Sequence, residues 1–290
     1  MNQQAWLQHC ATKDQLAFFE DQGYLIVKDA LEPELLGRLN EAVDRVAERE
    51  RDQKELIEDK NRHPAMVSKF RTVVEDDTFL DLLDNPKTFP LLWEILGWNI
   101  QLYISHLILY PPEQKGGEIR KGHWHQDGGR PVTEMERPQP RLSLKISYWL
   151  SDVDTPEHGA FTIIPGSHKL DALPEGAQED EGVLPVCVRA GDAVLFDRRM
   201  WHRRGYNTSG VTRRVLFFGY SYRWLRGLDY NNLSEEILSK CDPIRRQLLG
   251  DGVDVKGWWQ PTDADVPLKM WLEENKGEDY VKGLEKANRF

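Results

Sequence analysis

Cysteine is scarce in this chain. Only Cys10, Cys187 and Cys241 occur among 290 residues, far apart and without a CxxC pair. That spacing excludes a disulfide framework and a sequence-local zinc ribbon, and scattered thiols of this kind lead to the expectation of a reducing cytoplasm. The chain also lacks an apolar run of the roughly 18 to 20 residues needed to span a bilayer, so no membrane association is expected. The opening MNQQAWLQHC is polar where a secretory signal needs an apolar stretch. Basic excess is missing too. Lys and Arg total 38 against 48 Asp and Glu, a net charge of −10. An acidic chain without a basic tail is poorly suited to nucleic acid, whose binding depends on phosphate neutralisation. There is no internal repeat, no low-complexity tract and no His-Glu-x-x-His motif.

What is present is an ordinary globular composition, 40% hydrophobic and 30% charged. The length suffices for a large buried core. The first hundred residues read as mainly helical. In TKDQLAFFEDQG, Leu16, Phe18 and Phe19 supply the apolar face, Thr12 or Asp14 the cap and Gly23 the stop. YLIV at 24–27 reads as a short strand. Pro33 then opens an amphipathic helix in which Leu35, Leu36, Leu39, Ala42, Val43 and Val46 recur at spacings of three and four. Two short helices follow on either side of Asn85-Pro86. From residue 99 the period changes to two. Strands are expected at 99–110, 141–150, 159–166, 192–197 and 212–222, joined by Gly/Pro loops and not by helices. That pattern argues for an antiparallel sandwich or barrel. Two long loops, 111–122 and 128–140, are candidates for substrate contact and closure. The last part is helical and polar, an outer cover.

The chemistry-bearing residues cluster. GHWHQDGG places His123, His125 and Asp127 at alternate positions, which share one side of an extended strand. DRRMWHRRGYN adds His202. Two imidazoles and a carboxylate on one face of a metal leave the opposite positions open, the pattern of non-haem Fe(II) oxygenases. A cupin-type ligand set is not matched, since the nearest Glu after His125 is Glu134. A bare His-x-Asp also arises by chance in many chains. Six arginines, Arg198, Arg199, Arg203, Arg204, Arg213 and Arg214, fall within seventeen positions. Most suit surface ion pairs; a local positive field for an anionic ligand is the functional reading. Arg213 and Arg214 point to opposite faces of their strand. Both faces are apolar, so alternation alone does not choose between them.

The chain resembles the phytanoyl-CoA dioxygenase family of Fe(II)/2-oxoglutarate oxygenases. The resemblance rests on LAFFEDQGYLIVKDAL (16–31), HWHQDGG, GAFTIIPGSHK (159–169), AGDAVLFDRRMWHRRGYNTS (190–209) and TRRVLFFGYSYRW (212–224), which in this order cover most of 12–250. It implies a mainly β fold with flanking α-helices: a double-stranded β-helix (jelly-roll, cupin-like) core over 99–224. N-terminal helices over 12–98 and a C-terminal helical segment over 225–290 would complete one domain over 1–290. It implies Fe(II) on His125, Asp127 and His202, 2-oxoglutarate anchored by Arg213, and O2 as co-reactant. Tyr148 matches a family position facing the cosubstrate, although aromatic core filling explains it as well. Arg204 stands where many members carry Ser or Thr, and is expected to share the anchoring. His123, Arg130 and Trp201 are candidates for substrate contact, and His168 for a structural turn. Asp127 favours hydroxylation over halogenation, which uses a small residue there. The expected activity is hydroxylation of a small-molecule metabolite or natural-product intermediate with succinate and CO2 as co-products. Desaturation, epoxidation or cyclisation at the same centre is the alternative. A non-catalytic jelly-roll binding protein is the second alternative.

Overall fold

The caps at Thr12 and Gly23 frame the first helix. In a computed structural model, which describes residues 3–54, 66–113, 122–229, 233–254 and 256–285, α1 spans Lys13–Gln22. Its N-terminus is closed by a reciprocal box in which Gln15 N donates to Thr12 Oγ1 at 3.1 Å and Thr12 N donates to Gln15 Oε1 at 2.9 Å. Gly23 ends it in the left-handed region at φ 82°. A side chain at Gly23 would also collide with His168, whose Nδ1 lies 2.5 Å from the Cβ position. β1 (Tyr24–Val27) follows directly. α2 (Pro33–Lys54) then buries Leu39, Ala42, Val43 and Val46 and turns its charged face outward.

One short strand was hidden in the stretch that reads as helical. β2 (Val67–Phe70) is an edge strand of four residues, too short to show a period of its own. α3 (Phe89–Leu96) is apolar nearly all round, and every residue in it is buried. Trp6 packs edge-on against Phe89, Trp93 and Trp271 at 4.8–5.9 Å, tying the N-terminus to α3 and to the C-terminal part.

The remaining strands are β3 (Ile100–Tyr110), β4 (Ser143–Trp149), β5 (Phe161–Ile163), β6 (Leu184–Val186), β7 (Ala193–Asp197), β8 (His202–Arg204) and β9 (Arg213–Tyr222), with a short helix α4 (Arg130–Glu134) in the loop before β4. They form a six-stranded sheet in the order β1-β7-β4-β9-β3-β2 and a three-stranded sheet in the order β6-β5-β8. All their pairings are antiparallel. This is the double-stranded β-helix. Alternation sorts the side chains: Leu144, Ile146 and Tyr148 of β4 face the helices, while Trp149 joins Val194, Phe196 and Val215 against Phe161 and Val186 of the small sheet. β6 and β8 lie outside the expected strands. β6 contains Pro185, tolerated because β6 is at an edge.

A bulge in β3 shifts its register between Leu102 and Ile104. It turns both Tyr103 and Ile104 toward the space between the sheets. Gly219 on β9 makes that possible, since a Cβ there would lie 2.5 Å from Ile104 Cγ2 and 2.7 Å from the Tyr103 ring.

The C-terminal helices α5 (Glu235–Leu238), α6 (Pro243–Leu248), α7 (Pro267–Lys276) and α8 (Glu278–Leu284) do more than cover the exterior. Leu248, Leu268, Leu272, Val281 and Leu284 enter the same core as α3 and the large sheet. Gln247, fully buried, donates to Trp98 O at 2.9 Å and accepts from Leu268 N at 3.0 Å.

Replacing Gly23 with Ala imposes left-handed backbone strain and a clash with His168. The expected loss is about 2 kcal/mol of stability, read as a lower midpoint in urea denaturation with an unchanged slope.

Candidate metal centre and its cavity

Two main-chain hydrogen bonds build the centre. His125 N donates to His202 O and His202 N donates to His125 O, both at 3.0 Å, so the two residues form an antiparallel bridge across which directly opposed side chains share a face. Asp127, two residues on, is held by its N–H to Arg198 O at 2.8 Å. The ligating atoms of His125, Asp127 and His202 all lie within 4.8 Å of one another. His125 Nε2 is 3.9 Å from Asp127 Oδ1, and His202 Nε2 is 3.7 Å from Asp127 Oδ2.

The tautomers follow from the backbone. His125 Nδ1 lies 2.9 Å from His123 O and His202 Nδ1 lies 2.9 Å from Met200 O. A carbonyl only accepts, so each Nδ1 carries the proton and each Nε2 keeps a free lone pair aimed at the shared volume. Burial, reinforced by His125, pushes His202 down to about 4, so its ring is neutral at physiological pH. Burial alone would raise the Asp127 carboxyl, but Lys145 and the two histidines outweigh it and hold the group well below the usual carboxylate range. Lys145 Nζ sits 2.8 Å from Asp127 Oδ2 and forms an ion pair with it. Two imidazole nitrogens and an ionised carboxylate are the donor set a divalent transition metal takes, with room left for exogenous ligands.

The triad opens into a cavity of about 640 Å3, within the range of small-molecule sites. Aromatic side chains, Trp149, Phe161, Phe196 and Phe217 among them, form part of its wall. Arg213 lines it, 5% exposed, its Nη1 donating to Gly159 O at 2.6 Å and its Nε without a partner. Among the described residues no carboxylate pairs with it. Burial and the nearby Arg204 push it down to about 9, so it remains charged at neutral pH. Arg214 points the other way and pairs with Asp44 at 2.5 Å. An uncompensated guanidinium in an apolar cavity is costly unless an anion completes it.

The family profile described as Phytanoyl-CoA dioxygenase (PhyH) matches residues 19–215. The chain belongs to the phytanoyl-CoA dioxygenase family. Non-haem iron 2-oxoglutarate-dependent dioxygenase, the class expected from the residues, is the class of that family. An ectoine dioxygenase of Nocardia farcinica is 26% identical over 235 residues, covering 70% of this chain and 76% of the relative. Two solved structures share the fold. HygX from Streptomyces hygroscopicus, crystallised with nickel and 2-oxoglutarate, superposes with a TM-score of 0.60 at 15% identity, over 79% of this chain and 94% of that one. EctD from S. alaskensis, with 2-oxoglutarate and 5-hydroxyectoine, gives 0.59 at 20% identity, over 77% and 78%.

Not every family position falls in the cavity. Tyr148 does not. It sits on the helix face of β4, where its hydroxyl is 2.7 Å from Thr88 Oγ1 and donates to Leu82 O at 3.3 Å, so it fills the core. Strand parity decides this, since Lys145 and Trp149 are the β4 side chains that face inward. Trp201 is likewise turned away by alternation with His202, and its main-chain N–H donates to Ser167 Oγ at 2.9 Å. His123 is exposed and contributes its carbonyl to His125, not its ring to the cavity. Arg204 does line the cavity, stacked 3.6 Å over the Tyr110 ring and 3.6 Å from Glu113 Oε1. The Arg130 side chain lies outside the described residues, as does most of the loop at 111–122. His168 is a turn residue, buried, with Nε2 3.1 Å from Glu20 O. Lys145 and Tyr103 escaped the sequence reading, and Arg198 entered it only as one of the six clustered arginines. A lysine inside the otherwise uncharged run SLKISYW was the signal for the first.

The turn carrying His202 is fixed by Asp197, fully buried, which accepts from Arg199 N and Nε at 2.9 Å and from Arg141 Nε at 2.7 Å. Burial opposes its charge, but Arg199 and Arg141 prevail and bring it down to about 2. Its stabilising effect is therefore complete above the unfolded value of about 4 and is lost as pH falls toward about 2. Asp197→Asn is expected to lower stability by roughly 3 kcal/mol at pH 7, with the difference from wild type shrinking across that acid window. Denaturant titrations at several pH values check this; a pH-independent difference would contradict it.

Proposed function

We propose that the protein is an Fe(II)- and 2-oxoglutarate-dependent dioxygenase that hydroxylates a small-molecule metabolite. His125, Asp127 and His202 hold the metal, and Arg213 receives the distal carboxylate of 2-oxoglutarate. One observation carries the reading: three ligand atoms with free lone pairs face the same cavity as a buried arginine that lacks an acid. When bound, the iron and its cosubstrate supply the oxidising power, with 2-oxoglutarate and O2 consumed to give succinate and CO2.

The chain's own residues prepare that chemistry. The carbonyls of His123 and Met200 hold both imidazoles in the ligating tautomer. Phe161 and Phe196 pack against His202 at 5.3 and 5.4 Å and keep water from its side of the centre. Arg213 is fixed by Gly159 O and flanked by Trp149 and Tyr110, so the anion it binds is oriented before reaction. Arg204 adds positive charge at the same end, tempered by Glu113. The dispersed thiols of Cys10, Cys187 and Cys241 suit a reducing cytoplasm.

Anaerobic addition of Fe(II) and 2-oxoglutarate is expected to produce a weak visible charge-transfer band that Asp127→Ala abolishes. Arg213→Met should weaken 2-oxoglutarate binding by about a hundredfold while leaving metal binding intact. Unchanged cosubstrate affinity in that variant would remove Arg213 from the role.

A further inference from the structure

The cavity has a second cationic region, beside Asp127. Lys145, 12% exposed at its side chain, reaches Asp127 Oδ2. Arg198, 3% exposed, donates from Nη1 to Asp127 O at 3.1 Å and from Nη2 to Gln139 Oε1 at 3.2 Å, while its Nε is buried without a partner. Both acceptors of Arg198 are neutral, and among the described residues no carboxylate pairs with it. Arg198 and Arg226 line a recess of about 90 Å3. Tyr103, Gly128 and Leu228 line both this recess and the main cavity, so the two adjoin. Ser143 and Tyr103 place their hydroxyls in its wall, 3.3 Å apart.

The charges need a partner. Asp127 is the one acid in ion-pair contact with Lys145 among the described residues, and a metal on that carboxylate would share its single negative charge. Arg213 and its cosubstrate lie elsewhere in the cavity and leave Arg198 uncompensated. Near the mouth the wall is apolar and open, with Phe70 49% and Leu228 63% exposed. We propose that the carboxylate of an organic acid substrate binds where the recess meets the main cavity, between Arg198 on the recess side and Lys145 on the cavity side, with the Tyr103 and Ser143 hydroxyls. The apolar body of that substrate lies along Phe161, Phe196 and Phe217 toward Phe70 and Leu228. The inference rests on the proposed function for the identity of the bound molecule as substrate, and not for the existence of the anion site.

The test uses full-length protein loaded with Ni(II) and 2-oxoglutarate, and a pair of probes that differ only in charge, hydrocinnamate and hydrocinnamamide, titrated calorimetrically. The acid is expected to bind at least about tenfold more tightly than the amide. Lys145→Met, which keeps the length of the side chain, should erase that preference, and Arg198→Gln should reduce it; Arg213→Met, with 2-oxoglutarate raised to saturate its weakened site, should leave it in place. Equal affinities for the two probes in the wild type overturn the proposal. So does a preference that survives both Lys145→Met and Arg198→Gln, or one lost in Arg213→Met alone. If Arg198→Gln does not fold, Lys145→Met still decides. The cosubstrate titration is read separately. Failure of 2-oxoglutarate to bind counts against the dioxygenase reading, while the probe preference and its dependence on Lys145 continue to judge the recess.

Discussion

The pair of main-chain hydrogen bonds between His125 and His202 is the constraint from which the rest of the site follows. It joins a short extended segment to β8 and brings residues seventy-seven positions apart in the chain into direct opposition. Opposed residues in an antiparallel bridge present their side chains on one face. Once that bridge forms, Asp127 follows two residues on, held through its own N–H. The large sheet supplies the opposite wall, and its twist and packing against the small sheet leave the space between them. Long-range pairing sets the centre, so its integrity depends on the whole sandwich and on no single loop.

Charge organises the cavity as strongly as shape does. Aromatic walls lower the local polarity, which makes each buried ion consequential. Asp127 is held ionised by Lys145 and the neighbouring imidazoles. Arg213 and Arg198 sit in the same low-polarity interior without acids of their own. Two partly buried arginines nearby behave otherwise: Arg214 and Arg199 find Asp44 and Asp197, as expected of a chain with ten more acids than bases. The contrast separates cations paired with acids of the fold from buried cations that lack one among the described residues.

The outer layers explain how such a cavity is tolerated. α3, apolar on every side, is enclosed by Trp6, Trp271 and the C-terminal helices, and the large sheet rests on that core. Much of the apolar burial lies on the helix face of the sheet, leaving the inner face free to carry polar groups at Lys145, Ser147 and Arg213.

Local chemistry made much of this legible in the sequence. The caps at Thr12 and Gly23, the three-and-four spacing of α2 and the alternation of β3, β4, β7 and β9 all act within a few residues, and the fold class and family followed from their order and motifs. Three very short elements were not legible: β2, β6 and β8 have three or four residues each, and pairing with neighbours, not any period of their own, makes them strands. Nor was the choice between Arg213 and Arg214, because both faces of β9 are apolar and only the position of the sheet says which is inside. Tyr148 and Lys145 are the same case on β4: one residue of parity assigns the tyrosine to the helices and the lysine to the cavity. The sequence by itself determined which side chains were available for the chemistry. Tertiary structure decided which of them meet, because facing and pairing between distant strands are set by packing that no local segment contains.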